Sequence, residues 1–192
     1  MSTRDVIVTA SAAVVLGIAQ LAFGPLYTTL AGALGPIWVM LFLGFYYLPG
    51  IVIGLIIRKP GAAFGGSLAA ALVQVILGSP FGILALAAGA SQGAGAELVF
   101  ALFRYRRWSF PVLALAAVGS GVTALVYEYF ALGYANLEWW IPLAYLGVRI
   151  PSAIILAAAL GLGLYRALER SGAVRPAKHR APADAQAEGT PS

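Results

Sequence analysis

Cysteine is absent from the 192 residues, and histidine occurs once, at His179 in a polar C-terminal stretch. The chain therefore cannot build a disulfide, an iron–sulfur cluster or a thiol redox centre. Nor can a histidine metal site sit inside its apolar part. Charge is almost as scarce: Asp, Glu, Lys and Arg make up 10% of the residues, against about 25% in a soluble domain. So few charges cannot cover a water-facing surface, which excludes an ordinary soluble globular protein. Enzyme signatures are missing as well. There is no Walker A sequence to bind ATP and no acidic cluster for magnesium chemistry. Gly119-Ser120-Gly121 offers a serine, but no histidine lies in the apolar region to act as its base.

What the chain has in abundance is hydrophobic residues, 61% of the total, with a mean hydropathy of +0.89. Apolar residues run almost continuously from residue 6 to residue 165 instead of alternating, so the pattern is that of membrane helices and not of a β-barrel. Six spans fit this length. They are expected at Val6–Phe23, Ile37–Ile57, Ala62–Leu77, Ile83–Phe103, Phe110–Leu132 and Trp139–Tyr165. Gly24-Pro25 is expected to stop the first span, Pro49-Gly50 to kink or unwind the second, and Pro151 to break the long sixth.

The net charge of +5 reads as a topology signal and not as a nucleic-acid footprint. With six spans, 11 of the 12 Lys and Arg fall on one side, at Arg4, Arg58-Lys59, Arg104 to Arg107 and from Arg166 onward. The opposite loops, 24–36, 78–82 and 133–138, hold none. The fold expected is thus an all-α integral membrane protein with six transmembrane helices and cytoplasmic N and C termini. Residues 1–170 would form one transmembrane domain and 171–192 a disordered cytoplasmic tail.

Ionisable groups inside a bilayer cost roughly 2.5–3.5 kcal/mol each on insertion scales and are functional candidates for that reason. Three fall within the spans: Glu97, Glu128 and Arg149. A rise of about 1.5 Å per residue puts Glu128 about 6–9 Å, Arg149 about 15 Å and Glu97 about 20 Å below the face without Lys or Arg. Arg149 can pair with either acid. Glu128 pairs with Arg149 in one reading and faces a cationic or amino-bearing ligand in the other. Tyr127, Trp38, Tyr47, Trp139 and the loop residue Asn136 crowd the same half as an aromatic belt or a stacking box for a flat heteroaromatic ring. Gln92, on a glycine-rich face, can read ring nitrogens. Small residues at four-residue spacing, Thr9-Ala13-Gly17, Ala85-Gly89-Gly93 and Ala153-Ala157-Gly161, allow close helix approach.

Three motifs carry a family resemblance: Arg58-Lys59-Pro60-Gly61-Ala62-Ala63, Gly78-Ser79-Pro80-Phe81-Gly82 and Gln92-Gly93-Ala94-Gly95-Ala96-Glu97-Leu98-Val99-Phe100, with Tyr105-Arg106. Over residues 6–166 the chain resembles the YkoE-type S components of energy-coupling factor (ECF) vitamin transporters. It differs in carrying Gly78-Ser79-Pro80 where Gly-Asn-Pro is common, and Gln74 where an acid is expected. The resemblance implies a multi-pass prokaryotic plasma-membrane protein without catalysis or cofactor. It would capture thiamine or its hydroxymethylpyrimidine precursor from outside. It would work with a transmembrane T component and cytoplasmic ABC-type ATPases, the T component contacting Thr9, Ala13 and Gly17. The substrate-binding candidates are Glu128, Tyr127, Gln92, Glu97, Trp38, Tyr47, Asn136 and Trp139. A stand-alone proton-coupled carrier using Glu97, Glu128 and Arg149, and a non-transporting membrane scaffold, are the alternatives.

Overall fold

Proline, glycine and the few polar side chains decide where this apolar chain turns. The computed structural model of the protein describes residues 3–172, so the tail expected over 171–192 lies, past Gly172, outside the described residues. Among the described residues every regular element is helical. Helix α1 spans Thr3–Trp38 and is followed by a 3-10 turn, Val39–Phe42. Helices α2 (Gly44–Ile57), α3 (Ala62–Ile76), α4 (Leu84–Leu102) and α5 (Phe110–Ala131) come next. A second 3-10 turn, Tyr134–Asn136, leads into α6 (Trp140–Ser152), which runs through a π-helical segment, Ala153–Ala159, into α7 (Leu160–Arg170). Four stretches are long and apolar enough to cross a membrane: Thr3–Ile57, Leu84–Leu102, Phe110–Ala131 and Trp140–Arg170, while Ala62–Ile76 is apolar but shorter.

The stop expected at Gly24-Pro25 does not occur. Helix α1 continues through Pro25, because a proline withholds only its own N–H from the preceding turn. The Thr28 and Thr29 hydroxyls both donate to the Pro25 carbonyl at 2.9 Å, which ties the next turn back onto the proline. The break comes at Gly35, whose φ of 81° and ψ of 170° lie outside the helical region and are easily reached only by glycine. Pro36 reinforces it, since the residue before a proline disfavours helix. The chain then reverses, and Gln20 in the middle of α1 donates to the carbonyls of Phe45 (3.2 Å) and Tyr46 (3.0 Å) in α2.

Those two bonds also explain why Pro49 leaves α2 unbroken. A proline at 49 deprives the Phe45 carbonyl of its i→i−4 donor. Gln20 supplies the replacement from a neighbouring helix, the usual way a membrane helix accommodates proline. Pro151 is handled differently. Helix α6 passes through it to Ser152 and then widens into the π-helical segment. The Ser152 hydroxyl there accepts the Gly44 N–H at 2.8 Å. A Cβ at Gly44 would lie 2.2 Å from the Ser152 carbonyl oxygen, so the start of α2 and the end of α6 require glycine at that contact.

The core is built from a few large side chains set among alanines. Tyr47, Ile51, Leu55, Phe100 and Leu113 are buried together with Ala96, Ala116, Ala117, Ala153, Ala157 and Ala158. The stripes of small residues on α4 and on the last helix serve this packing. Gly89 and Gly93 lie against Ala71, Ser67 and Phe64 of α3, and Gly161 against Leu48, Ile51 and Val52 of α2. One end of the bundle gathers the cations. There Lys59 pairs with Asp5, and Arg58 lies 5.6 Å from the ring centroids of both Trp108 and Tyr165. The turns at the other end, 77–83 and 132–139, contain no Lys or Arg.

Candidate functional site

A cavity of about 470 Å³ lies towards the cation-free end. Pockets of this size hold small organic ligands. Each wall comes from a different element. Helix α1 supplies Gln20 and Tyr27, α2 Tyr46 with Leu43 just before it, and α3 Ser67 and Gln74. Pro80 and Phe81 of the following turn and Gln92 of α4 close one side. Tyr127 and Glu128 of α5, Tyr134 and Arg149 close the other. The aromatic rings stand edge-on to one another: Tyr27 and Tyr46 have centroids 5.9 Å apart at 85°, and Tyr46 and Phe81 6.4 Å apart at 88°.

The polar chemistry is concentrated in two groups. In the first, Gln74 donates its amide to Gln20 Oε1 at 2.8 Å, while the Gln20 amide is taken by the α2 carbonyls. That leaves Gln74 Oε1 as an acceptor, and Gln92 nearby makes no hydrogen bond among the described residues. The second group is an ion pair. Arg149, only 1% exposed, bonds through Nη2 to Glu128 Oε2 and lies with Nε 3.3 Å and Nη2 3.2 Å from Met40 Sδ. The short loop between α5 and α6 makes these two helices neighbours, which selects Glu128 over Glu97 as the partner of Arg149. Among the described residues, four buried polar atoms of cavity-lining side chains lack any partner: Tyr46 Oη, Ser67 Oγ, Tyr127 Oη and Arg149 Nη1. A buried polar group left unpaired costs about 1–3 kcal/mol, so a ligand able to pair with them gains affinity by doing so. In the loop beyond α5, burial pushes the Tyr134 hydroxyl up to about 12, with the Glu128 charge adding to the rise. It is therefore a neutral group at ordinary pH.

The structure brings Gln92, Tyr127 and Glu128 together in the cavity wall. Tyr47 is fully buried behind that wall and its hydroxyl has no partner among the described residues. Trp38 and Trp139 are 60% and 78% exposed on the outside of the bundle, and Asn136 is exposed in its 3-10 turn. Glu97 stands at the cation-rich end. Its carboxylate accepts the backbone N–H groups of Gly61 (2.6 Å), Ala63 (2.9 Å) and Phe64 (3.2 Å) and the Tyr105 hydroxyl (2.6 Å). This is a cap on the positive end of α3 provided by another helix. Burial and the bond to Glu97 push the Tyr105 hydroxyl up to about 12. Thr9, Ala13 and Gly17 face inward. Ala13 packs with Ile53 and Ala70, and a Cβ on Gly17 would sit 2.7 Å from the Ala70 carbonyl oxygen.

Several lining residues escape a reading of the sequence. Tyr27 follows Gly24-Pro25, which looks like the end of a span. Tyr46 is one tyrosine among many. Gln20 and Gln74 are visible as polar groups in apolar runs, but nothing in the sequence pairs them. Among the described residues no three His, Cys, Asp or Glu side chains are grouped to hold a metal ion.

Comparison with known proteins adds three findings. Residues 4–123 match the sequence family described as "ABC-type cobalt transport system, permease component". The chain is 34% identical over 169 residues to "Putative HMP/thiamine permease protein YkoE" of Bacillus subtilis (strain 168), covering 88% of this chain and 85% of that protein. A solved structure described as "Crystal structure of an S-component of ECF transporter" superposes with a TM-score of 0.86 at 34% identity, over 90% of this chain and 87% of the other.

Proposed function

Because the chain belongs to the YkoE-type S-component family of ECF transporters, whose members are transport subunits and not enzymes, we propose that it captures hydroxymethylpyrimidine (HMP) or thiamine for import. The single observation that supports this is the cavity towards the cation-free end. It combines flat aromatic walls, the amides of Gln74 and Gln92, and a buried Glu128–Arg149 pair. Such a lining suits a small nitrogen heterocycle. Tyr27, Tyr46 and Phe81 offer faces and edges to its ring, and the amides offer both donors and acceptors to its polar atoms.

In this reading the chain crosses the plasma membrane of a prokaryote six times with both termini in the cytoplasm. The Thr3–Ile57 stretch supplies two of the crossings and the shorter α3 another. The distribution of Lys and Arg supports that orientation, and it turns the cavity towards the exterior. Lacking a nucleotide-binding motif, the subunit relies on a transmembrane T component and cytoplasmic ATPases for energy. Isothermal titration of the purified full chain in detergent with HMP, thiamine and riboflavin tests the proposal. Saturable binding of HMP or thiamine with none of riboflavin is expected. Binding of neither pyrimidine compound would overturn it.

A further inference from the structure

The Glu128–Arg149 pair spends a single hydrogen bond on itself. Arg149 spends Nη2 on Glu128 Oε2, and Met40 Sδ lies against Nε and Nη2. Nη1 is buried and unpartnered among the described residues, and Arg149 lines the cavity. On the acid, only Oε2 is engaged. Oε1 makes no hydrogen bond among the described residues, and the Glu128 side chain keeps 14% of its surface open. The pair therefore keeps one unpaired donor on Arg149 and one unpaired acceptor on Glu128 in the cavity wall, with charges that cancel.

We infer that Glu128 and Arg149 act as one composite reader of a neutral aminopyrimidine edge. An aminopyrimidine carries a ring nitrogen that accepts a hydrogen bond next to an exocyclic amino group that donates one. The ring nitrogen accepts from Arg149 Nη1, and the amino group donates to Glu128 Oε1. This deepens the capture function proposed above and rests on it. It also changes the role of Glu128, which serves as counter-ion to Arg149 and acceptor for an amino group instead of neutralising a ligand cation. A 4-oxo pyrimidine of the same size has the opposite pattern, with a ring N–H and a carbonyl. It would set donor against donor and acceptor against carboxylate, leaving buried groups unpaired on both sides.

Thiamine and oxythiamine differ only in having amino or oxo at this position, and HMP and its 4-oxo analogue form the same pair without the thiazolium ring. Titration of the full-length chain in detergent with all four compounds tests the inference. The wild-type protein should bind the amino member of a pair at least about tenfold more tightly than the oxo member. In Glu128→Gln the carboxamide can present either a donor or an acceptor, which relieves the mismatch at the exocyclic group while Arg149 still opposes the ring N–H, so the ratio should fall by at least about threefold. A wild-type ratio below about tenfold, or a ratio unchanged in Glu128→Gln, overturns the composite reader while leaving vitamin capture standing. If Glu128→Gln does not fold, the wild-type ratio alone decides. Failure of all four compounds to bind rejects the capture function itself and the reader with it.

Discussion

Gln20 takes the place of the backbone donor that Pro49 lacks. The Phe45 carbonyl, four residues before that proline, accepts the Gln20 amide at 3.2 Å, and the Tyr46 carbonyl accepts it at 3.0 Å. Gln20 Oε1 in turn accepts from Gln74. One side chain thus joins α1, α2 and α3 just where the cavity begins. Removing it by Gln20→Leu leaves the Phe45 carbonyl and the Gln74 amide without a partner and takes a second donor from the Tyr46 carbonyl, at about 1–3 kcal/mol for a buried unpaired group. Thermal unfolding in detergent should show a clear drop. In a Pro49→Ala background the Phe45 carbonyl regains a helical donor, so Gln20→Leu should cost less. An additive double mutant would mean that the two residues are not coupled.

Gly17 sits where a side chain has no room. With the Ala70 carbonyl oxygen 2.7 Å from its ideal Cβ position, Gly17→Leu should force α1 away from α3 and yield protein that aggregates in gel filtration. Val15→Leu, on the exposed face of the same helix, should leave the elution profile unchanged. Co-purification with a T component is then informative only for variants that pass this check.

Glu97 and Tyr105 fasten α3 to the far end of α4. Tyr105→Phe removes the 2.6 Å hydrogen bond to the carboxylate, a bond of a class that contributes about 1.5–3 kcal/mol. Stability should fall while HMP affinity stays the same, because the cavity lies at the other end of the bundle. The folded-state pKa of about 12 exceeds the ordinary 10.0. The contribution of Tyr105 is therefore complete below pH 10 and is lost as pH rises towards 12. Denaturation curves of wild type and Tyr105→Phe should converge over that interval. A constant gap would show that the hydroxyl proton is not involved.

Ligand charge should matter little. Since Arg149 already neutralises Glu128, thiamine and its uncharged 3-deaza isostere should bind within about threefold of each other, a difference of well under 1 kcal/mol. A preference of tenfold or more for the cation, about 1.4 kcal/mol, would show that the carboxylate serves the ligand in preference to the arginine.

How much of this was legible in the sequence varies from residue to residue. The helical, lipid-facing character follows from composition alone, since 10% charge leaves no other solvent. The polar residues Gln20, Gln74, Gln92, Glu128 and Arg149 stand out because each is expensive in an apolar run, and all five line the cavity. Glu97 stands out by the same rule but caps a helix at the opposite end, because cost marks that a group has a partner without saying which. Gly24-Pro25 looked like a stop because local propensity disfavours helix there. Helix α1 nevertheless runs on to Gly35, and this carries Tyr27 to the cavity wall. Trp38 and Trp139 show the converse: their type suits a stacking box, but Trp38 at the end of α1 and Trp139 in the turn before α6 lie exposed on the outside of the bundle.

The π-helical segment at Ala153–Ala159 has a bearing on any attempt to engineer this protein. A wider turn absorbs one more residue than an α-helical one, and each residue in a regular helix advances the azimuth by about 100°. The extra residue therefore sets the angular offset between Arg149 on one side of it and Gly161 on the other. Excising a single alanine there would let the strand of backbone rewind as ordinary helix, and the guanidinium and the glycine would no longer both find their present neighbours. Grafts between relatives should accordingly keep this stretch whole, exchanging it together with Pro151 and Ser152 instead of cutting through it.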